Sequence, residues 1–142
     1  MKFVNHLLDG KGRNIVSIDP GASVFDAIKL MADKAVGSLV VMDGEAMLGI
    51  VTERDYARKV ILKGRSSEST SVSEIMTEKV LTTTGSESVN ACMELMTKER
   101  IRHLPVVDDD KVIGIISIGD LVNAIISDQQ EEIEQLENYI SG

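Results

Sequence analysis

Two stretches of the chain repeat one order of apolar and polar positions. The run Ile15 to Ile18 reads as a short strand. Val24, Ala27, Ile28, Met31 and Ala35 then follow the i, i+3, i+4, i+7 spacing that predicts a helix with one buried stripe. Ser23 and Asp26 supply a capping box at its start. SLVVM and AMLGIVT are two β-branched-rich runs around Asp43-Gly44, a hairpin signal. Glu53 to Lys63 reads as a second helix that stops at Gly64. The second stretch gives VLTT, a helix over Val89 to Arg100, the runs HLPVVD and KVIGIIS, and a helix over Asp120 to Ile126. Between the two, GRSSESTSVSE is polar and serine-rich and predicts a linker.

This order is an internal duplication. At an offset of 65 residues GIVTERD, from Gly49, falls on GIISIGD, from Gly114, without a gap. Ser23-Val24 then falls on Ser88-Val89, Leu30-Met31 on Leu95-Met96, Leu39 on Leu104, Val41 on Val106 and Asp43 on Asp108. A unit of this length exceeds a solenoid repeat. It predicts a mixed α/β (α+β) fold of two β-α-β-β-α half-domains packed as a pseudo-twofold intramolecular pair. The expected division is 1–66 as the first repeat with an N-terminal extension, 67–127 as linker and second repeat, and 128–142 as an acidic tail.

Composition narrows the function classes. A chain of 142 residues, 43% hydrophobic, buries roughly 68–70% of its unfolded surface and needs no metal or disulfide staple. The single cysteine, Cys92, makes no internal disulfide, which suits a reducing compartment. It falls on Ala27 inside the helical stripe, and so reads as a small core residue rather than a nucleophile. No apolar run approaches the roughly 18 residues that span a bilayer. The N-terminal MKFVNHLLDGKGRN holds only a brief apolar stretch, so the expectation is a cytoplasmic protein. A net charge of −8 argues against nucleic-acid binding. Asp128, Glu131, Glu132, Glu134 and Glu137 contribute five of those charges with no base among them, leaving −3 for residues 1–127. The body therefore has room for a small anion at a local basic patch.

Thr52 and Asp55 stand three apart where a strand-like run meets a helix-like one, and Ser117 and Asp120 repeat the arrangement. One reading is a helix start, in which hydroxyl and carboxylate satisfy orphan backbone N–H groups reciprocally. The other is a ligand site. Duplication alone does not separate them, because a repeat copies caps as faithfully as sites.

The tandem β-α-β-β-α unit, with glycine, two apolar residues, Thr or Ser and then Asp, resembles the cystathionine β-synthase (CBS) domain family. The resemblance covers about Asn14 to Ser127, and IRHLPVVD and SEIMTEKV in the second copy add to it. It implies an intramolecular CBS pair with two clefts that take adenosine-containing nucleotides, AMP, ADP, ATP or NAD. These act as regulatory ligands rather than obligatory cofactors. By this resemblance Asp55 and Asp120 take the ribose hydroxyls, and Thr52 and Ser117 the phosphate. Each cleft also borrows from the partner copy: Val16, Val36, Gly37 and Ser38 from one, Leu81, Ile101, Arg102, His103 and Pro105 from the other. With 3% aromatic residues, the base would lie between aliphatic side chains.

The first copy departs from this pattern. Gly37-Ser38 stand where the second has Arg102-His103, Val40 stands where Pro105 does, and the first copy lacks a counterpart of Ile75-Met76-Thr77. Its cleft needs cations from elsewhere, with Arg54, Arg58, Arg102 and His103 as candidates. Arg102 and His103 read equally as a solvated face beside Arg100. No metal-ligand spacing and no nucleophile–base–orienter set is present. The resulting expectation is a regulatory nucleotide-binding module, not an enzyme, that signals through assembly or a partner protein. The alternative is a structural or interaction module with unoccupied clefts. A homodimer is expected through the second helices and the tail, where Val122, Ile126, Ile133, Leu136 and Ile140 suit one helical face; the tail reads also as a solvated extension.

Overall fold

A computed structural model describes residues 2–141. In chain order its elements are α1 (Val4–Lys11), β1 (Ser17–Ile18), α2 (Val24–Lys34), β2 (Ser38–Asp43), β3 (Ala46–Thr52), α3 (Glu53–Tyr56), α4 (Val89–Glu99), β4 (His103–Asp108), β5 (Lys111–Ser117) and α5 (Ile118–Ser141). The fold is mixed α+β, as the sequence predicts. α2 and α4, β2 and β4, and β3 and β5 are equal in length and lie at the predicted offset.

Each hairpin turns in two residues. Asp43 pairs with Ala46 and Asp108 with Lys111. Gly44 supplies the positive φ in the first turn, at 59°. Asp109 and Asp110 are both left-handed in the second, with φ 47° and 62°, the requirement of a type I′ turn and one that Asp tolerates.

The two sheets differ at their parallel strand. β1 pairs with β2 through Ser17↔Val40 and Ile18↔Val41, and the Val40 N–H donates to the Val16 carbonyl at 3.2 Å. In the second copy parallel pairing shrinks to one bridge, Thr83↔Val106. Pro105 stands where Val40 does and has no N–H to donate. The strand expected from VLTT is thus reduced to Thr83, and the one expected over Ile15 to Ile18 to its last two residues.

The chain forms two compact units, and neither follows the expected division at residue 66. One is Asn14–Leu81; the other joins the N-terminal residues through Arg13 to Thr82 and everything after it. The presumed linker packs on the first repeat. There the Val24 N–H donates to the Thr70 carbonyl at 2.8 Å, the Val72 N–H donates to the Ala22 carbonyl at 2.8 Å, and Ser23 bridges Ser71. The N-terminal segment does the same for the second repeat: Val89 N–H to Lys2 carbonyl at 3.0 Å, Val4 N–H to Glu87 carbonyl at 2.9 Å, and a bridge from Phe3 to Ser88. Residues 71–76 and 3–8 are therefore counterparts. The first copy does not lack the Ile75-Met76-Thr77 element; Leu7-Leu8-Asp9 is its equivalent, and it sits on the second repeat.

Both segments press on the same glycine of the repeat. A Cβ on Gly49 would lie 2.6 Å from the Thr77 carbonyl oxygen and 3.0 Å from the Met76 sulfur. On Gly114 it would lie 2.7 Å from a Leu8 methyl. The glycine that opens GIVTERD and GIISIGD is thus fixed by close approach of a crossing segment. Val4, Leu8, Val89, Cys92, Met96, Leu104, Val106, Ile116 and Leu121 form one core, and Val24, Ala27, Met31, Leu39, Val41, Val51, Val60, Val72 and Ile75 the other.

The second helices diverge. α3 is regular only to Tyr56 and continues as a π-helical turn, Ala57–Ile61, before Gly64 ends it at φ 65°. α5 runs unbroken to Ser141, so the acidic tail is the second half of a 24-residue helix.

Candidate functional site

Each strand-to-helix turn is built by the segment that follows the preceding helix. Ala35 and Arg100 close α2 and α4 in the left-handed conformation, both at φ 55°. The next N–H groups, of Val36 and Ile101, return to the Met31 and Met96 carbonyls at 3.0 and 3.1 Å. This swings Gly37-Ser38 and Arg102-His103 to the mouths of β2 and β4. There the Gly37 carbonyl accepts from the Glu53 N–H at 3.2 Å and the Arg102 carbonyl from the Ile118 N–H at 2.9 Å. Ser38 lies opposite Thr52, and His103 opposite Ser117, across the hairpins.

The carboxylates complete capping boxes. The Thr52 hydroxyl accepts from the Asp55 N–H at 3.2 Å while Asp55 Oδ2 accepts from the Thr52 N–H at 3.0 Å. The Ser117 hydroxyl accepts from the Asp120 N–H at 3.1 Å, and Asp120 Oδ2 accepts from the Ser117 N–H at 2.8 Å. The capping reading of the motif is therefore physically present in both copies.

Each aspartate also holds a lysine that sequence reasoning did not single out. Lys59 Nζ lies 3.1 Å from Asp55 Oδ1 and donates to the Ile75 carbonyl at 2.8 Å. Lys11 Nζ lies 2.6 Å from Asp120 Oδ2 and donates to the Ile115 carbonyl at 2.8 Å. Lys59 follows Asp55 by one helical turn, a spacing that carried the signal. Its repeat position in α5 is Ala124, and the cation there comes from α1 instead. No local pattern could have shown that.

Burial pushes the Asp120 carboxyl up, but the Lys11 ammonium and the Ser117 backbone N–H outweigh it and hold it below the ordinary carboxylate range. It is ionised at neutral pH. The turn thus presents a fixed negative charge at a helix start, able to accept from paired hydroxyls.

The remaining predicted residues fall into place by unit. Val16 and Val36 pack against the Asn14–Leu81 core and Ile101 against the other. Ser38 and Pro105 are buried, Arg54 is half-buried on the first turn of α3, and the Arg102 side chain is exposed. Leu81, which closes its unit, is 40% exposed. Cys92 is buried against Thr83, Oγ1 to Sγ 3.3 Å, and burial pushes its thiol up, as suits a core residue. A shallow depression of about 330 Å³ is lined by Phe3, Asn5, His6, Gly85 and Ser86 and shares no residue with either turn. Among the described residues no group of three or more His, Cys, Asp or Glu could hold a metal, and no helix is long and apolar enough to cross a membrane.

Comparison with known proteins fits this geometry. The CBS domain model matches residues 12–62 and 72–127. The mitochondrial CBS domain-containing protein CBSX3 of Arabidopsis thaliana is 49% identical over 125 residues, which are 84% of this chain and 61% of that protein. The chain thus spans about three fifths of that relative's length. Among solved structures, a protein with CBS domains from Burkholderia ambifaria is 53% identical with a TM-score of 0.87, over 90% of this chain and 96% of its own. The CBS domain pair of MJ0100, in complex with 5′-methylthioadenosine and S-adenosyl-L-methionine, is 25% identical with a TM-score of 0.80, over 90% of this chain and 98% of its own. Two family matches in tandem, each running through its own Thr/Ser-x-x-Asp turn, place the chain in the CBS domain family.

Proposed function

We propose that the protein is a regulatory module, not an enzyme, that binds adenosine-containing ligands at the Thr52–Asp55 and Ser117–Asp120 turns. The observation that carries this reading is the anchored carboxylate at the start of each helix, set in a chain whose relative MJ0100 was solved with two adenosine compounds. Asp55 and Asp120 accept from the ribose hydroxyls, while Thr52 and Ser117 and the adjacent helix N–H groups face the phosphate. Val16, Val36, Gly37, Ser38, Leu81, Ile101 and Pro105 supply aliphatic and backbone surface for the base. Arg54 and Arg102 supply positive charge, and His103 an imidazole able to hydrogen-bond. AMP, ADP, ATP and NAD are the first candidates. The output passes through a homodimer or an effector protein, in the cytoplasm.

The alternative of a structural module with unoccupied sites is favoured by one specific observation. Both carboxylates already hold a backbone N–H and a lysine. A thermal-shift screen with AMP, ADP, ATP, NAD and S-adenosylmethionine separates the two. A ligand at 100 times its dissociation constant adds about 2.7 kcal/mol of stability, and no shift with any of them at millimolar concentration leaves only the structural reading. For the homodimer, light scattering that gives a monomer at micromolar concentration rejects it.

A further inference from the structure

Among the described residues nothing covers the second half of α5. From Gln129 to Ser141 every residue is exposed, including Ile133 at 53%, Leu136 at 61% and Ile140 at 82%. With Val122 and Ile126, also exposed, these residues alternate spacings of four and three once Gln129 is counted. Ile126, Ile133 and Ile140 then occupy the a positions of a heptad, and Val122, Gln129 and Leu136 the d positions. Isoleucine at all three a positions, with leucine at the last d, favours the seam of a parallel two-stranded coiled coil. A thirteen-residue helix is marginal in water without such cover.

Charge decides what covers it. Glu132 and Glu137 fall at g and e, the flanking positions that face a partner helix, and Asp128, Glu131 and Glu134 add to the same sign. Self-pairing in parallel would set Glu132 of one copy against Glu137 of the other. The last turn carries no base, so the acids also oppose the negative end of the helix dipole. A basic helix relieves both repulsions, whereas a second copy doubles the first. We infer that residues 126–141 form one strand of a heteromeric coiled coil whose partner is an amphipathic helix with an apolar a/d seam flanked by lysine or arginine. The tail's share in the homodimer passes to this partner.

The test uses the full chain and two labelled peptides of three heptads, with Ile at a and Leu at d. One carries Lys at every e and g, the other Glu. Anisotropy titration should show binding of the Lys peptide, weakening as salt rises from about 50 to about 500 mM, and none of the Glu peptide. Leu136→Asp, at a position the fold does not bury, should weaken binding roughly tenfold or more. Equal binding of both peptides, or indifference to Leu136→Asp, overturns the inference. So does sedimentation of the chain alone showing self-association that Leu136→Asp or Ile133→Asp abolishes, which makes a second copy the occupant.

Discussion

The two strand-to-helix turns arrive at one arrangement by different routes. Around Asp55 the cation comes from the same helix, four residues on, and ties the carboxylate to the Ile75 carbonyl. Around Asp120 it comes from α1, 109 residues away in sequence, and ties the carboxylate to the Ile115 carbonyl. The crossing segments differ likewise: a short 3-10 turn and the Met76 side chain on Gly49, a full helix and Leu8 on Gly114. What the duplication preserves is the local environment, a carboxylate held by an ammonium and a glycine under a crossing apolar side chain. The identity and origin of the supplying residue are free to change. The second turn is accordingly coupled to the N-terminal helix, and the first is not.

Removing the crossing side chains tests this most severely. Leu8 is fully buried, so Leu8→Ala should cost about 2–5 kcal/mol. Its counterpart Met76 is only half-buried, and Met76→Ala should cost less. Urea titration of both variants checks the order, and equal losses would show that the segments are interchangeable after all.

Ligand affinity separates the turns next. If the carboxylates hold ribose hydroxyls, Asp→Ala at either turn should weaken binding by about 1.5–3 kcal/mol, roughly 10- to 150-fold. The loss for AMP should be larger at Asp120, where Arg102 and His103 stand in the same unit. Calorimetric titration reads this directly; unchanged affinity in both variants reduces the motif to capping, worth roughly 0.5–2 kcal/mol of stability alone.

The glycines come third. Gly49→Ala places a methyl against the backbone oxygen of Thr77, which cannot swing aside, and should cost about 1–3 kcal/mol. At Gly114 the obstacle is the end of the Leu8 side chain, so Gly114→Ala should cost less than Gly49→Ala, and Gly114→Ala combined with Leu8→Ala less than the sum of the two. Denaturation midpoints of the four variants decide it.

The smallest effect belongs to the lysines. Both pairs are partly solvated, so Lys11→Met and Lys59→Met should each cost roughly 0.2–1 kcal/mol at neutral pH. Because the Asp120 carboxyl is depressed in the folded protein, the stability it contributes is complete above the ordinary carboxylate range. It is lost as pH falls through the depressed value. The gap between wild type and Lys11→Met should therefore close in acid. A gap that widens instead would remove the ion pair as its cause.

Legibility in the sequence followed locality. α2, α4 and both hairpins were readable because their periodicity lies within one segment, and the offset between copies fixed their ends. The capping boxes were readable from three-residue spacings. α1 was not, because Val4 and Leu8 make a single helical contact in sequence and their seat lies against β5, a hundred residues on. The linker's Val72 was hidden by the serines around it, although it is buried. The length of α5 was hidden by acidity: its stripe was visible, but five carboxylates read as a solvated extension. At the candidate site the aspartates and hydroxyls were legible, and Lys59 could have been read from its spacing of four from Asp55, but Lys11 could not, since it meets Asp120 only after folding.

The exchange of crossing segments also sets an order of events during synthesis. Asn14–Leu81 has its own crossing segment once Leu81 has been made, with Thr77 on Ile50 and Ser71 on Ser23. α1 leaves the ribosome ahead of that unit but finds Ser88, Gly114 and Asp120 only later, the Lys11–Asp120 pair being 109 residues apart. At ordinary elongation rates of about 5–20 residues per second, Val4 and Leu8 wait roughly 5 to 20 s with no native surface to cover them. Asn14–Leu81 thus folds before the unit that flanks it on both sides in sequence, and α1, made ahead of β1, is among the last elements to dock.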